Sequence, residues 1–312
     1  MNNSIIFIGF DNDYERLDII ELSKELLVSS VSISKFTRTL IFKLSPTRRI
    51  SNYLIFKIID SKIKKINGEN KLLIFKDERD YLSIIKKTSY KKIIILRNKT
   101  DEYVRKTIAN EKVYTFDDHD AKKYKYIKYN QYTSGFSYIK SNNFNITSDI
   151  VFIGKDKGRS EIVNNIAKNL DKYKTRISII RENSRFKKFL IKTKIIQNNF
   201  YSYKEYLDIL LSGYIILDIV QDGQSTETMR LIEALTAKRK VITNNKEVIN
   251  HELYSPSNVL HFKNIDDLNE NIDRFYFEEF DNKFESNLEK YSGKTILKKI
   301  ILDNITTVEK DV

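Results

Sequence analysis

The 312-residue chain contains no cysteine, and it has only two prolines, eight glycines and three histidines. Without cysteine, a disulfide framework, a thiolate metal site and a cysteine nucleophile are all excluded. Three histidines, His119, His251 and His261, are too few to favour a zinc site. We therefore expect neither a cofactor nor a resident metal.

Long apolar runs are also absent. None approaches the roughly 20 residues that a membrane-spanning helix requires. The first residues, MNNSIIFIGFDNDYERL, lack the basic segment and long apolar core of a signal peptide. We expect a cytoplasmic protein that is soluble or peripheral on the inner face of the cytoplasmic membrane. The length suits two domains of about 150 residues each, or one large α/β domain.

The net charge of +13 is concentrated in one stretch. Residues 31–66 hold nine Lys or Arg against one acid, Asp60, and aromatic residues such as Phe36 and Phe56 lie between the cations. An interfacial segment needs this mixture, because apolar groups enter the headgroup boundary while cations meet anionic lipid. We interpret 31–66 as a contact with an anionic inner-leaflet surface. The alternatives are a solvated helix pair with apolar faces in the core, and a nucleic-acid contact.

Short apolar runs alternate with helix-like segments along the chain. The runs are SIIFIGF, KLLIFK, KKIIILRN, KVYTF, DIVFIG, TRISII, YIILDIV, KVITN and NVLHF. The helix-like segments lie at about 14–29, 78–88, 100–110, 158–170, 184–192, 203–212, 225–237 and 264–277. Apolar runs of this length between helices predict buried parallel strands. The sequence therefore predicts the α/β class, with two Rossmann-like, doubly wound domains facing a central cleft.

A domain boundary is predicted where periodicity is lost, within residues 121–148. We predict an N-terminal domain at 1–140, a C-terminal domain at 141–285, and a last helix in 286–312 that packs back on the first domain. The run KKYKYIKYNQY, residues 122–132, resembles a base-stacking segment. A linker strand of alternating Tyr and Lys has the same pattern. In the absence of an RNA-binding motif, we expect no nucleic-acid partner.

The stretch DIVFIGKDKGRSEIV, residues 149–163, contains the first candidate site. A buried strand is expected to end at Gly154, and Lys155 to Arg159 form a turn before a helix that begins near Ser160. A helix N-terminus after a parallel strand offers free N–H groups and partial positive charge to an anion. The spacing is not that of a Walker A motif or a dinucleotide fingerprint. This turn is either a phosphate site or an ordinary charged turn.

The second candidate site follows the run YIILDIV. Ser225 or Thr226 is expected to cap a helix in which Met229 faces the sheet, while Arg230 and Glu233 share another face. Open α/β sheets bind ligands at the carboxyl ends of their strands. A guanidinium suits a diphosphate, and a carboxylate suits two ribose hydroxyls. The alternative is an exposed i,i+3 salt bridge.

Together these patterns resemble two-domain (GT-B) glycosyltransferases, especially small bacterial enzymes that build lipopolysaccharide core, O-antigen or capsule. The segments that carry the resemblance are DIVFIGKDKGR, LDIVQDGQSTETMRLIEALTAKRKVITNN, ELYSPSNVLHF and VYTFDDHDAKKYKY. They cover the second half of the chain well and the first half poorly. The resemblance implies transfer of a sugar from a nucleotide-sugar donor, bound by the second domain, to a lipid-linked or lipopolysaccharide saccharide acceptor met by the first.

The resemblance also implies residue roles. Many such enzymes carry two Glu eight residues apart, and Glu233 matches the second, which contacts the ribose. The first would fall on Ser225, since Glu227 is offset by two residues, and the usual glycine-rich turn after the first strand is reduced to Gly9. The candidate nucleotide-sugar-binding residues are Gly154, Lys155, Lys157, Gly158, Arg159, Gln224, Ser225, Thr226, Glu227, Met229, Arg230 and Glu233.

A catalytic base for the acceptor hydroxyl is sought among Asp11, Asp13 and Glu15, which follow the first strand, and His119. Two alternatives remain open. Asp118 and Asp120 form a D-x-D pattern, which single-domain (GT-A) glycosyltransferases use to bind a divalent metal. The chain could instead be a non-catalytic α/β protein that binds an anionic partner.

Overall fold

The computed structural model describes residues 3–98, 100–180, 201–221 and 226–305. The chain divides into two compact units, the first formed by Met1–Asn130 with Lys294–Val312 and the second by Gln131–Gly293. Each unit is a parallel β-sheet whose strands are connected by helices. The prediction of an α/β fold with two Rossmann-like domains is confirmed.

The first unit is built on a six-stranded sheet in the order β2-β1-β3-β4-β5-β6. Its strands are β1 (Asn3–Ile8), β2 (Val28–Val31), β3 (Asn70–Lys76), β4 (Lys91–Ile95), β5 (Val113–Thr115) and β6 (Ile127–Lys128). Its helices are α1 (Asp13–Ser23), α2 (Lys35–Leu44), α3 (Arg48–Lys64), α4 (Arg79–Leu82), α5 (Glu102–Ile108) and α6 (Asp118–Tyr124). Side-chain caps begin several of these helices, for example Ser34 at α2 and Thr47 at α3.

The second unit is built on a five-stranded sheet in the order β11-β10-β9-β7-β8. Its strands are β7 (Ser148–Lys155), β8 (Thr175–Ile180), β9 (Gly213–Asp218), β10 (Lys240–Thr243) and β11 (Val259–His261). The helices are α7 (Phe136–Ser141), α8 (Ser160–Asn169), α9 (Tyr203–Leu210), α10 (Met229–Thr236) and α11 (Ile265–Phe277), and α12 (Gly293–Ile305) follows this unit in the chain.

Alternate residues of the central strand β7 enter two separate hydrophobic clusters. Val151 and Ile153 pack with α9 and α10 on one face, while Ile150 and Phe152 pack with α8 and α11 on the other. A strand that is buried on both faces must be apolar at every position, which is why β7 reads as a continuous run. The sheet is thus covered by helices on both sides.

Strand order reverses once in each sheet. In the first unit, β1 lies between β2 and β3, and in the second, β7 lies between β8 and β9. At such a point the connections leave in opposite directions, and a crevice opens at the carboxyl ends of the two strands. The end of β7 at Lys155 and the end of β9 at Asp218 therefore border this crevice in the second unit, the place where open α/β sheets bind ligands.

The strands predicted from apolar runs are all present, whereas β2 and β6 were missed. β2 has the sequence VSSV and is too polar to stand out, and β6 has only two residues. The stretch 121–148, where we predicted the domain boundary because periodicity is lost, contains the end of α6, β6 and α7. The first unit ends at Asn130, ten residues before the predicted boundary, because α7 packs on α10. The helix predicted at 184–192 lies outside the described residues.

Residues 31–66 contain the helix pair α2 and α3. The buried side chains of α3 are Ser51, Ile55, Ile59 and Ile63, which are spaced by four and form one inner face. None of the residues of α2 is buried. In the described part of the chain, no helix is long and apolar enough to span a membrane.

Gly9 offers a test of the packing at the end of β1. Its φ is +84°, and a Cβ built there would lie 2.7 Å from the ring of Tyr81, which is fully buried. Gly9→Ala should therefore lower the free energy of unfolding by about 2–4 kcal/mol, from left-handed backbone strain and overpacking together. Urea unfolding followed by circular dichroism measures the loss.

Gly158→Ala is the matched control for Gly9→Ala. Its φ is +81°, but a Cβ at this position would meet no atom within 4 Å. Gly158→Ala should therefore lower the free energy of unfolding by only about 1 kcal/mol, from backbone strain. Equal losses for the two variants would contradict the steric role assigned to Tyr81.

Candidate functional site

Two arginines converge on Gly154, at the carboxyl end of β7. A Cβ built on Gly154 would lie 2.8 Å from Nη2 of Arg230 and 3.4 Å from Nη2 of Arg159. Arg159 immediately precedes α8, and Arg230 lies in the first turn of α10. A side chain at position 154 would shift the guanidinium groups, so Gly154 leaves the space in which they meet.

Arg230 is held by a buried ion pair. Its Nη1 donates to Oδ1 of Asp218 at 2.9 Å, and the exposed fractions of the two side chains are 10% and 2%. Nη2 donates to the carbonyl oxygen of Ile153 at 3.2 Å, and the guanidinium lies 5.2 Å from the ring centroid of Phe152. The remaining donor, Nε, is buried and has no hydrogen-bond partner among the described residues.

Arg159 is held by carbonyl oxygens. Its Nη1 donates to Ile219 at 2.8 Å, Nη2 to Lys155 at 2.6 Å, and Nε to Asp156 at 3.3 Å. Burial, followed by the neighbouring Arg230 guanidinium, lowers the pKa of Arg159. Arg230 is ion-paired with Asp218, whereas Arg159 donates to neutral carbonyl oxygens, so its positive charge favours an anion at this point.

The turn between β7 and α8 adds further cations. Lys157 and Gly158 both adopt positive φ, at 46° and 81°, and they bring the chain into α8. Lys155, at the end of β7, is exposed. An open groove beside the turn is lined by Lys157, Arg159, Lys168, Lys246 and Lys263. The predicted phosphate turn therefore lies at the switch point, next to Arg230.

The start of α10 differs from the prediction. The helix begins at Met229 and its cap is Thr228, whose Oγ1 accepts from the N–H of Leu231 at 3.1 Å and donates to Asp218 at 2.7 Å. Thr226 is not the cap; it is buried, and its Oγ1 has no hydrogen-bond partner within the described ranges. Gln224 and Ser225 lie outside those ranges. Met229 is half-buried, and it was correctly placed inside the helix.

Glu233 has an environment that the sequence did not indicate. Its side chain is fully buried, and its carboxylate oxygens accept from the hydroxyls of Tyr203 at 2.5 Å and Tyr206 at 3.0 Å. These tyrosines lie on α9 and stack with ring centroids 5.8 Å apart. The alternative, an exposed i,i+3 salt bridge with Arg230, is not formed, because α10 is buried on every side from Leu231 to Thr236.

Glu227 is engaged near the start of the second unit. Its Oε1 accepts from the N–H of Gln131 at 3.1 Å, and its Oε2 lies 3.9 Å from Nε2 of His251. Its exposed fraction is 11%. Glu227 thus anchors the loop before α10 to the chain that enters this unit, a role that its position in the sequence did not indicate.

The candidate bases of the first unit are spread over its sheet. Asp11 follows β1, and its Oδ2 accepts from Tyr81 at 3.1 Å and lies 3.7 Å from Arg38. Asp13 and His119 are exposed on α1 and α6. Because β1 and β5 are three strand spacings apart, His119 lies about 14 Å along the sheet from the end of β1. The structure does not bring His119 together with Asp11.

Glu15 is buried and ion-paired, so it is not a candidate catalytic base. Its exposed fraction is 1%, and its Oε1 pairs with Nζ of Lys76, at the end of β3, at 2.7 Å. The Asn12 backbone and side chain donate to its other oxygen at 3.0 and 3.1 Å. Glu15 therefore closes the start of α1 and neutralises a buried lysine.

The D-x-D pattern is not assembled as a metal site. Asp118 pairs with Lys128, and Asp120 is buried and accepts from the backbone and hydroxyl of Thr100. Across the described residues, no group of three or more His, Asp or Glu side chains is placed to hold a metal ion. The pattern reflects the acidic first turn of α6, which begins at the cap Asp117.

Comparison with known proteins shows a similarity in fold to solved structures. No family model matches the sequence, and no curated protein matches it. The structure is similar to trehalose-6-phosphate synthase of E. coli bound with UDP-2-fluoro glucose, with 10% identity, a TM-score of 0.60, and coverage of 96% of this chain and 98% of that one.

Two further solved structures are similar over nearly their whole length. An α,α-trehalose-phosphate synthase (UDP-forming) from Burkholderia xenovorans, in complex with glucose-6-phosphate, gives 7% identity, a TM-score of 0.59, and coverage of 96% and 99%. UDP-N-acetylglucosamine 2-epimerase from Rickettsia bellii gives 13% identity, a TM-score of 0.56, and coverage of 100% and 99%. These likenesses show the GT-B fold and fit it in preference to the GT-A alternative.

The buried carboxyl of Glu233 predicts a pH-dependent stability. Burial raises its pKa from 4.5 to about 7, although the two tyrosine hydroxyls act in the opposite direction. Between these values the folded state keeps a proton that the unfolded state has lost. Stability therefore falls as pH rises from about 4.5 through 7, by up to about 3 kcal/mol.

Glu233→Gln should remove this fall. Urea unfolding between pH 5 and 8 should show the variant gaining stability relative to wild type as pH rises. Tyr206→Phe is the companion variant: it removes a donor that lowers the pKa of Glu233, so the fall should extend to higher pH. A constant difference between wild type and Glu233→Gln across this range would contradict the assignment.

Proposed function

We propose that the protein is a glycosyltransferase that moves a sugar from a nucleotide-sugar donor to a lipid-linked saccharide in cell-surface polysaccharide biosynthesis, such as that of lipopolysaccharide, O-antigen or capsule. The observation that carries the proposal is the pair of guanidinium groups over Gly154, at the strand switch point of the second unit. The similar fold of a synthase bound with UDP-2-fluoro glucose supports it.

The donor diphosphate is assigned to Arg159, Arg230 and the turn from Lys155 to Gly158. A guanidinium binds phosphate oxygens with directed, charge-assisted hydrogen bonds. In sugar transfer, the bond between the anomeric carbon and the diphosphate oxygen breaks, an acceptor hydroxyl forms the new bond, and the nucleoside diphosphate leaves with the additional negative charge. Guanidinium groups beside that oxygen would stabilise the leaving group as this charge develops.

The ribose is assigned to Glu233, in exchange for its tyrosine partners. Two hydroxyls, those of Tyr203 and Tyr206, donate to the carboxylate oxygens. A ribose also offers two hydroxyl donors, so binding would replace two hydrogen bonds with two others. Such an exchange changes the number of hydrogen bonds little, although it requires α9 to release the carboxylate.

On the acceptor side, Asp11 is favoured over the other candidate bases. It lies at the end of β1, next to the switch point of the first sheet, and it accepts a hydrogen bond from Tyr81. A carboxylate in that position can take the proton of an attacking hydroxyl. Asp13 and His119 remain secondary candidates, since both are exposed. We place the acceptor lipid, and with it the protein, at the inner face of the cytoplasmic membrane.

Arg159→Gln tests the diphosphate assignment without breaking the buried ion pair. A thermal-shift screen with UDP, GDP and CMP first identifies the nucleotide, and calorimetry then gives affinities. The variant should lose about 1.5–3 kcal/mol of affinity for the nucleoside diphosphate, the scale of hydrogen bonds to charged groups. Its affinity for the matching nucleoside should be unchanged.

Arg176→Gln is the matched control, because it removes one exposed cation from β8 at the other end of the strand from the switch point. Its affinities should equal those of wild type. Equal losses for nucleoside and nucleoside diphosphate in Arg159→Gln would contradict the assignment. If none of the nucleotides shifts the melting temperature, the protein is better described as a non-catalytic binder of an anionic partner.

A further inference from the structure

Helix α2 carries an apolar stripe that the fold leaves uncovered. Phe36, Leu40 and Leu44 are spaced by four residues, and their exposed fractions are 77%, 44% and 74%. The other side of the helix packs inward through Ile41 and Phe42. Exposed single apolar residues are ordinary, but three in one row on a short helix form a patch that calls for a partner.

The first two turns of α3 add to this exposed surface. Ile50, Tyr53 and Leu54 have exposed fractions of 42%, 49% and 41%. Six of the fifteen large apolar side chains that are exposed in the described residues therefore lie within residues 36–54. Among the described residues, exposed large apolar side chains are most numerous in this segment, which we name the α2 face.

The structure sorts the cations of residues 31–66 into two groups. Some are engaged by neighbours: Arg48 pairs with Asp80, Lys64 pairs with Asp60, and Lys62 donates to the carbonyl oxygen of Ser32. Apart from Arg38, the others are exposed: Lys35, Lys43 and Arg49 lie on α2 and in the first turn of α3, whereas Lys57 lies further along α3 and Lys65 directly after it. Three exposed cations thus lie in the same segment as the apolar stripe, where an external anion can reach them.

We propose that the α2 face docks on an anionic lipid surface, with Phe36, Leu40 and Leu44 in the headgroup boundary and Lys35, Lys43 and Arg49 against the headgroups. An interfacial helix combines a solvent-facing apolar stripe with flanking cations, and the α2 face has both. A symmetric contact with a second copy of this chain would bring the same cations together. A nucleic acid would leave the aliphatic stripe without a partner.

On its inner side, α2 is tied to the carboxyl edge of the first sheet by Arg38. The guanidinium lies 2.8 Å from Glu78, 3.5 Å from Asp80 and 3.7 Å from Asp11, and 5.2 Å from the ring centroid of Tyr81. Its exposed fraction is 13%. Docking through the outer side would therefore hold Asp11 about one helix diameter, about 10 Å, from the lipid surface.

This placement suits an acceptor whose reactive hydroxyl is close to its lipid anchor, such as a short lipid-linked saccharide. This choice of acceptor rests on the proposed glycosyl transfer. Lipid docking does not require that transfer, because it depends only on the exposed side chains and charges of the first unit. The two can therefore fail separately.

Co-sedimentation of the full chain tests the docking. The probes are phosphatidylcholine vesicles with and without phosphatidylglycerol. Wild type should pellet with the anionic vesicles, dissociate as salt rises, and stay in solution with the neutral ones. Lys35→Gln/Lys43→Gln/Arg49→Gln should weaken anionic-vesicle affinity about a hundredfold, since each cation near the surface contributes roughly a factor of five. Phe36→Ser/Leu40→Ser/Leu44→Ser should weaken it at least tenfold.

Each variant has a matched control. Lys62→Gln/Lys64→Gln/Lys65→Gln removes the same charge at the far end of α3 and should bind nearly as wild type does. Ile20→Ser/Leu27→Ser/Leu302→Ser removes three exposed apolar side chains elsewhere in the first unit and should have no effect. All substituted positions are exposed, and circular dichroism checks that every variant is folded.

Several outcomes would overturn the proposal. Equal losses in the two charge variants would show that binding follows net charge and not the α2 face. Wild-type affinity in the apolar variant would show that the stripe does not enter the lipid, and wild-type binding to neutral vesicles would contradict the anionic surface. Binding of UDP, GDP or CMP is measured for every variant as a separate test of the proposed transfer. It should be the same in all of them. Its absence in all of them would contradict the transfer and not the docking.

Discussion

The buried ion pair between Asp218 and Arg230 sets the geometry of the second unit's sheet edge. A carboxylate that is 2% exposed is stable at this position only if a cation and hydrogen-bond donors compensate for its desolvation. Arg230 and Thr228 provide these, and Thr228 also caps α10. Since Arg230 further bonds the carbonyl of Ile153, one pair joins β9, α10 and β7.

The same pair does not neutralise all of the positive charge at this edge of the sheet. Asp218 neutralises one guanidinium, yet Arg159 lies against Gly154 as well, and its own hydrogen bonds go to neutral carbonyl oxygens. Proximity to Arg230 adds to the cost of keeping Arg159 charged. An anion bound here would offset that cost, so the crevice is better suited to a ligand with phosphate groups than to a neutral one.

Sequence reasoning reached the fold because its strongest signal was local. Apolar runs such as DIVFIG define buried parallel strands whatever their neighbours are, and the order of runs and helices defines the topology. The start of α10 was not decided locally, because Thr226 and Thr228 are both acceptable caps. Thr228 is selected by its bond to Asp218, ten residues away in sequence.

Glu233 shows the same limit more strongly. Its match to the second Glu of the glycosyltransferase pattern could be found in the sequence. Its partners Tyr203 and Tyr206, however, are 30 and 27 residues upstream, on a helix whose orientation the sequence does not specify. The sequence likewise could not show which cations of residues 31–66 form ion pairs, because that depends on which acidic residues the fold brings near them. Side-chain identity predicted the chemistry available at each position, and packing decided which groups remained accessible.

The two sheets place opposite charge at equivalent points. At the switch point of the second unit, Arg159 and Arg230 outnumber Asp218, whereas beside the end of β1 the carboxylates of Asp11, Glu78 and Asp80 surround Arg38. A diphosphate would be attracted to the sheet edge of the second unit and repelled from that of the first unit. A neutral hydroxyl that must lose a proton has the opposite preference, since a carboxylate can accept that proton. These charges thus favour the donor site that we propose in the second unit and the acceptor site that we propose in the first.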